Sequence, residues 1–156
     1  MRLFVGLGNL GEEYINNRHN AGYLLVRALS EKHLPRGFVV KKSNSMMNAS
    51  GDFVKNLVAQ YSLNTSDLWI IHDDLDIPLG AFKIQKGRGP KLHNGVLSIE
   101  EKLGSDDFWR VRIGVDNRTS QNKIPGERYV LEDFSPEERK ILEGVIEEIC
   151  KKLASL

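Results

Sequence analysis

Apolar positions along this chain follow two alternating rhythms. Short runs of strand character occur at Leu3–Leu7, Phe38–Lys41, Leu68–Ile71, Ala81–Gln85 and Trp109–Val115. Each is bounded by glycine, proline or polar residues, as strands are. Between them the spacing changes to that of an amphipathic helix. Over residues 20–32, Ala21, Leu24, Leu25, Ala28 and Leu29 form an i, i+3, i+4, i+7, i+8 stripe. Residues 50–61 repeat it with Phe53, Val54, Leu57, Val58 and Tyr61, and a shorter helix from about Asn94 to Leu103 offers Val96, Ile99 and Leu103. Ser135-Pro136-Glu137-Glu138 reads as a capping box with proline at the first helical position. Ile141, Leu142, Val145, Ile146, Ile149 and Leu153 continue that helix as one apolar stripe.

Strands that alternate with helices need crossover connections, which give a largely parallel sheet covered on both faces. The expected fold is α/β: one domain over residues 1–156, with a twisted, mixed, mostly parallel central sheet and helices on either side. The runs at 68–73 and 81–85 are separated by Pro78-Leu79-Gly80. This spacing predicts a tight turn and an antiparallel pair.

Composition narrows the function only a little. With 156 residues, 40% apolar and 28% charged, the chain is ordinary for a soluble globular protein. No apolar run approaches the roughly 20 residues of a membrane helix, so a soluble, cytoplasmic protein is expected. The lone Cys150 offers no internal disulfide and reads as a small residue in a helix. Net charge is +1, yet Lys83, Lys86, Arg88, Lys91, Arg110, Arg112, Arg118 and Lys123 all fall in the middle of the chain. A basic face on a nearly neutral molecule is therefore open to the fold.

The first strand breaks into Gly6-x-Gly8-x-x-Gly11, which satisfies the dinucleotide-binding pattern. Its context argues otherwise. The third glycine of such a site opens a helix onto the pyrophosphate, whereas the helical stripe here starts near Asn20. Glu12-Glu13 would repel phosphate, and Lys41-Lys42 stands where an acidic ribose ligand is expected. No cofactor is expected; the glycines are read as leaving space for a substrate beside Asn9.

Function in open α/β sheets gathers outside the carboxyl ends of strands. Those ends carry Asn9 and then His19; Met46-Met47-Asn48-Ala49-Ser50-Gly51; and His72-Asp73-Asp74-Leu75-Asp76, with His93-Asn94-Gly95 before the third helix. A neutral imidazole is the natural general base near neutral pH. A carboxylate on its other nitrogen fixes the tautomer, and Asp73, expected just past a central strand, is the best placed. Asparagine amides can donate to a developing oxyanion. No serine or cysteine stands in an activating motif, which leaves water as nucleophile and metal-free hydrolysis of an ester or amide as the reaction. The alternative is a metal-dependent phosphoesterase using His72, Asp73, Asp74 and Asp76. Neighbours in an extended segment point to opposite sides, however, so these ligands do not converge.

Taken together, VGLGNLG with Tyr14, NRHNAGY (17–23), MNASG (47–51), IHDDLDIPLG (71–80), HNG (93–95) and RVRIGV (110–115) resemble the bacterial-type peptidyl-tRNA hydrolases. The resemblance implies cleavage of the ester between a peptide and the 3′ ribose of tRNA. It implies His19 as base and Asp73 as the carboxylate that holds it. Asn9, Tyr14, Met46, Met47, Asn48 and Asn94 match substrate-binding positions, with Asn9 discriminating N-blocked peptidyl-tRNA from free aminoacyl-tRNA. Arg112 matches a tRNA phosphate contact, and Lys86, Arg88 and Lys91 are candidates for the same role. It further implies no metal, no cofactor, no membrane, and a monomer whose partner is peptidyl-tRNA. The sequence departs from the family pattern at residues 86–92, where Arg88, Lys91 and Leu92 replace small residues of a glycine-rich loop. That departure keeps a catalytically weak tRNA-binding paralogue open as the alternative.

Overall fold

The structure is a computed structural model that describes residues 1–87 and 89–156. Five strands, β1 (Arg2–Gly6), β2 (Phe38–Lys42), β3 (Leu68–Pro78), β4 (Phe82–Lys86) and β5 (Trp109–Asp116), form a sheet of order β2-β1-β3-β5-β4. Four helices pack against it: α1 (Ala21–Ser30), α2 (Ser50–Gln60), α3 (Asn94–Leu103) and α5 (Pro136–Ala154), while a single-turn helix, α4 (Gly126–Tyr129), precedes the last of them. Every pairing is parallel except β4 with β5. The expected mixed α/β sheet is present, but β3 and β4 are not neighbours.

The reason lies in β5. Arg110 to Val115 are all buried, so this strand needs cover on both sides and takes the interior position. In β4, Lys83 and Lys86 are exposed, which suits an edge. The residues at 78–81 therefore carry the chain past β5, whose Gly114 N–H donates to the Ala81 carbonyl at 3.0 Å. β3 also runs beyond its apolar stretch, through His72-Asp73-Asp74. Aspartate is disfavoured in strands; here Asp74 accepts from Arg112 of β5 at 2.7 Å, so pairing offsets the propensity. Asp73 thus sits within a strand rather than after one.

The pleat divides the core in two. Phe4, Trp69, Ile71, Val111, Ile113 and Val115 pack with α1 and α5. Leu3, Val5, Leu68 and Ile70 pack with α2 and α3. Cys150 is buried in the first of these layers.

α5 begins as its sequence predicts. Ser135 Oγ accepts the Glu138 N–H at 3.2 Å, and Glu138 Oε1 accepts the Ser135 N–H at 2.8 Å. Replacing an N-cap serine costs about 1 kcal/mol. Urea unfolding of Ser135→Ala, followed by the fluorescence of the stacked Trp69–Trp109 pair, is expected to show a lower midpoint by that amount with an unchanged slope.

Candidate active site

The chain turns away from β1 at Leu7, whose N–H still reaches the Ile71 carbonyl at 2.9 Å. The glycines on either side are taken up by α1. A Cβ on Gly6 would collide with Val26 and lie 2.5 Å from the Gly22 carbonyl oxygen; one on Gly8 would stand 2.8 Å from the Tyr23 ring. Gly6 and Gly8 let a helix close on the strand, and neither lines the cavity beyond. The expectation that they leave room for substrate is corrected accordingly.

Asn9 comes next and is fixed from three directions. Asn20 Oδ1 accepts its backbone N–H at 2.8 Å, and Asn20 Nδ2 donates to its carbonyl at 3.0 Å. The Met47 N–H donates to Asn9 Oδ1 at 2.6 Å. That last bond orients the amide: the oxygen is occupied, which leaves the Nδ2 donors of Asn9 for whatever enters the cavity. Asn20 has no role assigned from the sequence, yet it clamps Asn9 at both backbone ends.

Asp73 is buried between two imidazoles. His19 Nδ1 lies 2.8 Å from Asp73 Oδ2, and His93 Nε2 lies 2.8 Å from Oδ1. Backbone geometry settles one tautomer. The Val96 N–H donates to His93 Nδ1 at 3.2 Å, so that nitrogen carries a lone pair and Nε2 carries the proton given to Asp73. Burial pushes the Asp73 pKa up, but the charges of and hydrogen bonds from His19 and His93 outweigh it and hold the carboxyl well below the usual carboxylate range. An ionised Asp73 requires a donor at His19 Nδ1, which leaves His19 Nε2 with its lone pair on the cavity side. Burial lowers the His19 pKa; the charge of Asp73 and its hydrogen bond outweigh this and raise it above 6.5. His72, fully buried against the His93 ring at 5.0 Å, is driven down to about 3 by burial first and the nearby His93 second, and it stays neutral.

His19, Asp73 and His93 bring one ligand atom each within 4.8 Å of one another. Their donor chemistry does not fit a metal. Binding at His93 Nε2 would move its proton to Nδ1, against the Val96 N–H that points there. The ligand run considered in the sequence is dispersed instead: Asp74 holds Arg112 and the Asp76 N–H, and Asp76 accepts from the Lys91 N–H.

These groups meet in a cavity of about 640 Å³ lined by Asn9, Tyr14, His19, Met46, Met47, Asn48, Asp73, His93 and Asn94. The family model described as peptidyl-tRNA hydrolase matches residues 3–156. The chain belongs to this family. A peptidyl-tRNA hydrolase of Maridesulfovibrio salexigens is 36% identical, over 89% of this chain and 78% of that protein. One from Desulfitobacterium hafniense is 33% identical, over 97% and 90%. The crystal structure of peptidyl-tRNA hydrolase from Acinetobacter baumannii superposes with a TM-score of 0.82 at 28% identity, covering 98% of this chain and 86% of that one.

In this peptidyl-tRNA hydrolase-family chain all eight residues expected at the catalytic and substrate-binding positions line one cavity. The four basic residues divide differently. Arg112 is only 8% exposed and holds Asp74 at 2.7 Å and Gln85 at 2.7 Å, so it is an internal ion pair and not a surface for phosphate. Lys86 and Lys91 are exposed, Lys86 lying 3.6 Å from Asp107. Arg88 lies outside the described residues.

Another part of the lining, Pro125–Glu127 with Val130 and Leu131, has no periodicity in the sequence, where only the weak family echo YVLEDFSPEE (129–138) touches it. It is tied to the histidine directly: the His19 N–H donates to the Val130 carbonyl at 2.8 Å. His93 is conspicuous in the His93-Asn94-Gly95 motif, but its bond to Asp73 depends on a contact 20 residues away along the chain.

Proposed function

We propose that this protein hydrolyses the ester between the peptide and the tRNA 3′ end of peptidyl-tRNA, with His19 drawing a proton from water. The observation that carries this reading is His19 Nε2, left free at the cavity by an Nδ1 bond of 2.8 Å to a buried, ionised Asp73. A base so held takes a proton as the water attacks the ester carbonyl. The nearby carboxylate stabilises the imidazolium that forms. Asp73 is itself held by His93, whose tautomer the Val96 N–H fixes.

Asn9 supports selection of the substrate. With its Oδ1 occupied by the Met47 N–H, it presents donors alone. Such donors suit the carbonyl of a blocked, amide-linked α-nitrogen and repel a free α-ammonium, which has nothing to accept with. Tyr14, Met46, Asn48 and Asn94 supply the remaining surface for peptide and ribose. Exposed Lys86 and Lys91 suit phosphate contacts that carry no sequence information. The substrate places the work in the cytoplasm, where translation occurs. Among the described residues no helix is long and apolar enough to cross a membrane.

One comparison tests the reading: hydrolysis of an N-acetylaminoacyl-tRNA and of the same tRNA bearing a free amine, both with EDTA present. Turnover of the blocked ester that EDTA leaves unchanged, with slow cleavage of the free amine, is expected. Tight binding without turnover would identify a paralogue that only holds tRNA, and a requirement for added Mg²⁺ would overturn the metal-free mechanism. Asn9→Ala is expected to lower the blocked-to-free ratio about tenfold, the worth of one hydrogen bond of roughly 1.5 kcal/mol, while His19 chemistry persists.

A further inference from the structure

Beside His19 stands an arginine that belongs to none of the steps above. Arg18 is 8% exposed, a burial that a charged side chain tolerates only when paired, and both of its Nη atoms are paired while Nε is not. Its guanidinium carbon lies over the Tyr129 ring, 3.8 Å from the centroid. Nη2 donates to Glu138 Oε1 at 2.8 Å, and Nη1 donates to the Tyr129 carbonyl at 3.0 Å. Its backbone N–H meanwhile donates to the Glu132 carbonyl at 3.1 Å. With the His19 N–H on Val130, two adjacent residues therefore hold three carbonyls of the segment 129–132, of which Val130 and Leu131 line the cavity.

The other end of this contact is equally rigid. Glu138 Oε1 is also the acceptor of the α5 capping box, and Glu138 Oε2 lies 3.2 Å from Asn117 Nδ2 and 3.3 Å from the Tyr129 hydroxyl. A 19-residue helix thus anchors the guanidinium, and the guanidinium anchors α4 through its C-terminal carbonyl, where a cation also complements the helix dipole.

We propose that Arg18 is a positioning residue: it locks the segment 129–132 and the backbone of His19 into one rigid unit referenced to the start of α5, so that the imidazole stays aligned with Asp73 and with the ester. The proposal rests on His19 being the base. Arg18 touches no reacting atom. Its effect travels through two backbone hydrogen bonds, and misplacement of a base by about 1 Å costs on the order of 10²-fold in rate.

The test compares kcat and the pH dependence of kcat/KM for Arg18→Ala, Arg18→Lys and Glu138→Gln. The charged groups facing His19 are Asp73 and His93; those facing Arg18 are Glu138, Glu132 and the Tyr129 phenol. In Arg18→Ala, kcat is expected to fall ten- to a hundredfold, and the acid limb of the profile moves down, because an imidazole out of line with Asp73 loses the interaction that raises its pKa. Loss of the Arg18 charge alone would move that limb up. Arg18→Lys keeps the charge and one bond and recovers part of kcat. Glu138→Gln retains an oxygen for the Ser135 N–H, so α5 stays capped while the ion pair is lost; it is expected to give a smaller change in the same direction. That variant decides the matter if Arg18→Ala does not fold. An unmoved acid limb, with activity tracking the folded fraction, would reduce Arg18 to a stabilising residue. That result leaves the reading of His19 intact, since His19→Ala in an otherwise unchanged protein tests it separately.

Discussion

Replacing His19 with alanine is expected to lower kcat/KM for an N-acetylaminoacyl-tRNA by roughly 10²–10⁴-fold, the range a positioned general base contributes. Among the described residues, His19 is the only group in the cavity with both the proton affinity and the orientation to take a proton at neutral pH. His93 lines the same cavity, but both of its nitrogens are engaged, one by Asp73 and one by the Val96 N–H. Asp73 is buried and gives an oxygen to each histidine. His19 sits at a 3₁₀ turn, Arg18–Asn20, ahead of α1, and its backbone is held by Val130. Removing the imidazole deletes the base without withdrawing a core side chain. Fluorescence anisotropy with labelled tRNA is therefore expected to show binding within about twofold of wild type, and unchanged salt dependence, because phosphate contacts are separate from the reacting centre. Retained turnover in single-turnover assays would remove His19 from the mechanism.

The pH profile gives a second check on the same residue. A base works only when neutral, so kcat/KM should fall on the acid side, with a midpoint above the ordinary imidazole value because Asp73 raises it. The same shift has a consequence for stability. A histidine whose folded pKa is raised contributes stability that is fully present below about 6.5 and is lost as pH rises through the folded value. The enzyme thus gains activity over the interval in which its His19–Asp73 pair loses stabilising power.

Much of this arrangement was legible in the sequence because the chemistry-bearing residues lie at element ends. Asn9, His19, Met47 and Asn94 each follow a strand or open a helix, and the apolar rhythm located those boundaries to within a few residues. Sheet order was less accessible. The short connection from 78 to 81 suggested a hairpin, but the burial of β5 on both sides was decided by contacts distant in sequence, and that strand displaced β4 from β3. Asp73 lies within β3 because Arg112 offsets the presence of Asp74 in a strand, and the same pairing withdraws Arg112 from any external phosphate. The role of His93 and the placing of the lining at 125–131 rest on long-range bonds, to Asp73 and from Arg18 and His19, which no periodicity records.

Asp73→Asn carries the second large effect, and its consequences run in two directions. One carboxylate orders two imidazoles, at 2.8 Å each. An amide offers one oxygen and one NH₂, so it can accept from only one of them and turns a donor toward the other. If the NH₂ faces His19, the proton shifts to Nε2 and the base presents N–H to the cavity. Loss of the equivalent carboxylate in a histidine-based hydrolase costs about 10⁴-fold in kcat through that wrong tautomer, and a loss of roughly 10³–10⁴ is expected here. At the same time burial acts on His19 without the opposing charge, so its pKa drops below 6.5 and the acid limb of the residual activity moves down. Stability should respond with the opposite sign on each side. Wild-type Asp73, with its lowered pKa, contributes stability above about pH 3.9 that disappears as pH falls through its folded value. The asparagine variant lacks the loss above pH 6.5 that comes from His19; with the His19 pKa now lowered, its stability falls instead as pH drops below about 6.5. Chemical denaturation from pH 4 to 9, followed by the Trp69–Trp109 pair, should therefore show stability falling toward acid in the variant, over the range in which the wild-type His19–Asp73 pair is at full strength. A variant with that reversed profile but undiminished turnover would show that Asp73 stabilises the fold without ordering the base.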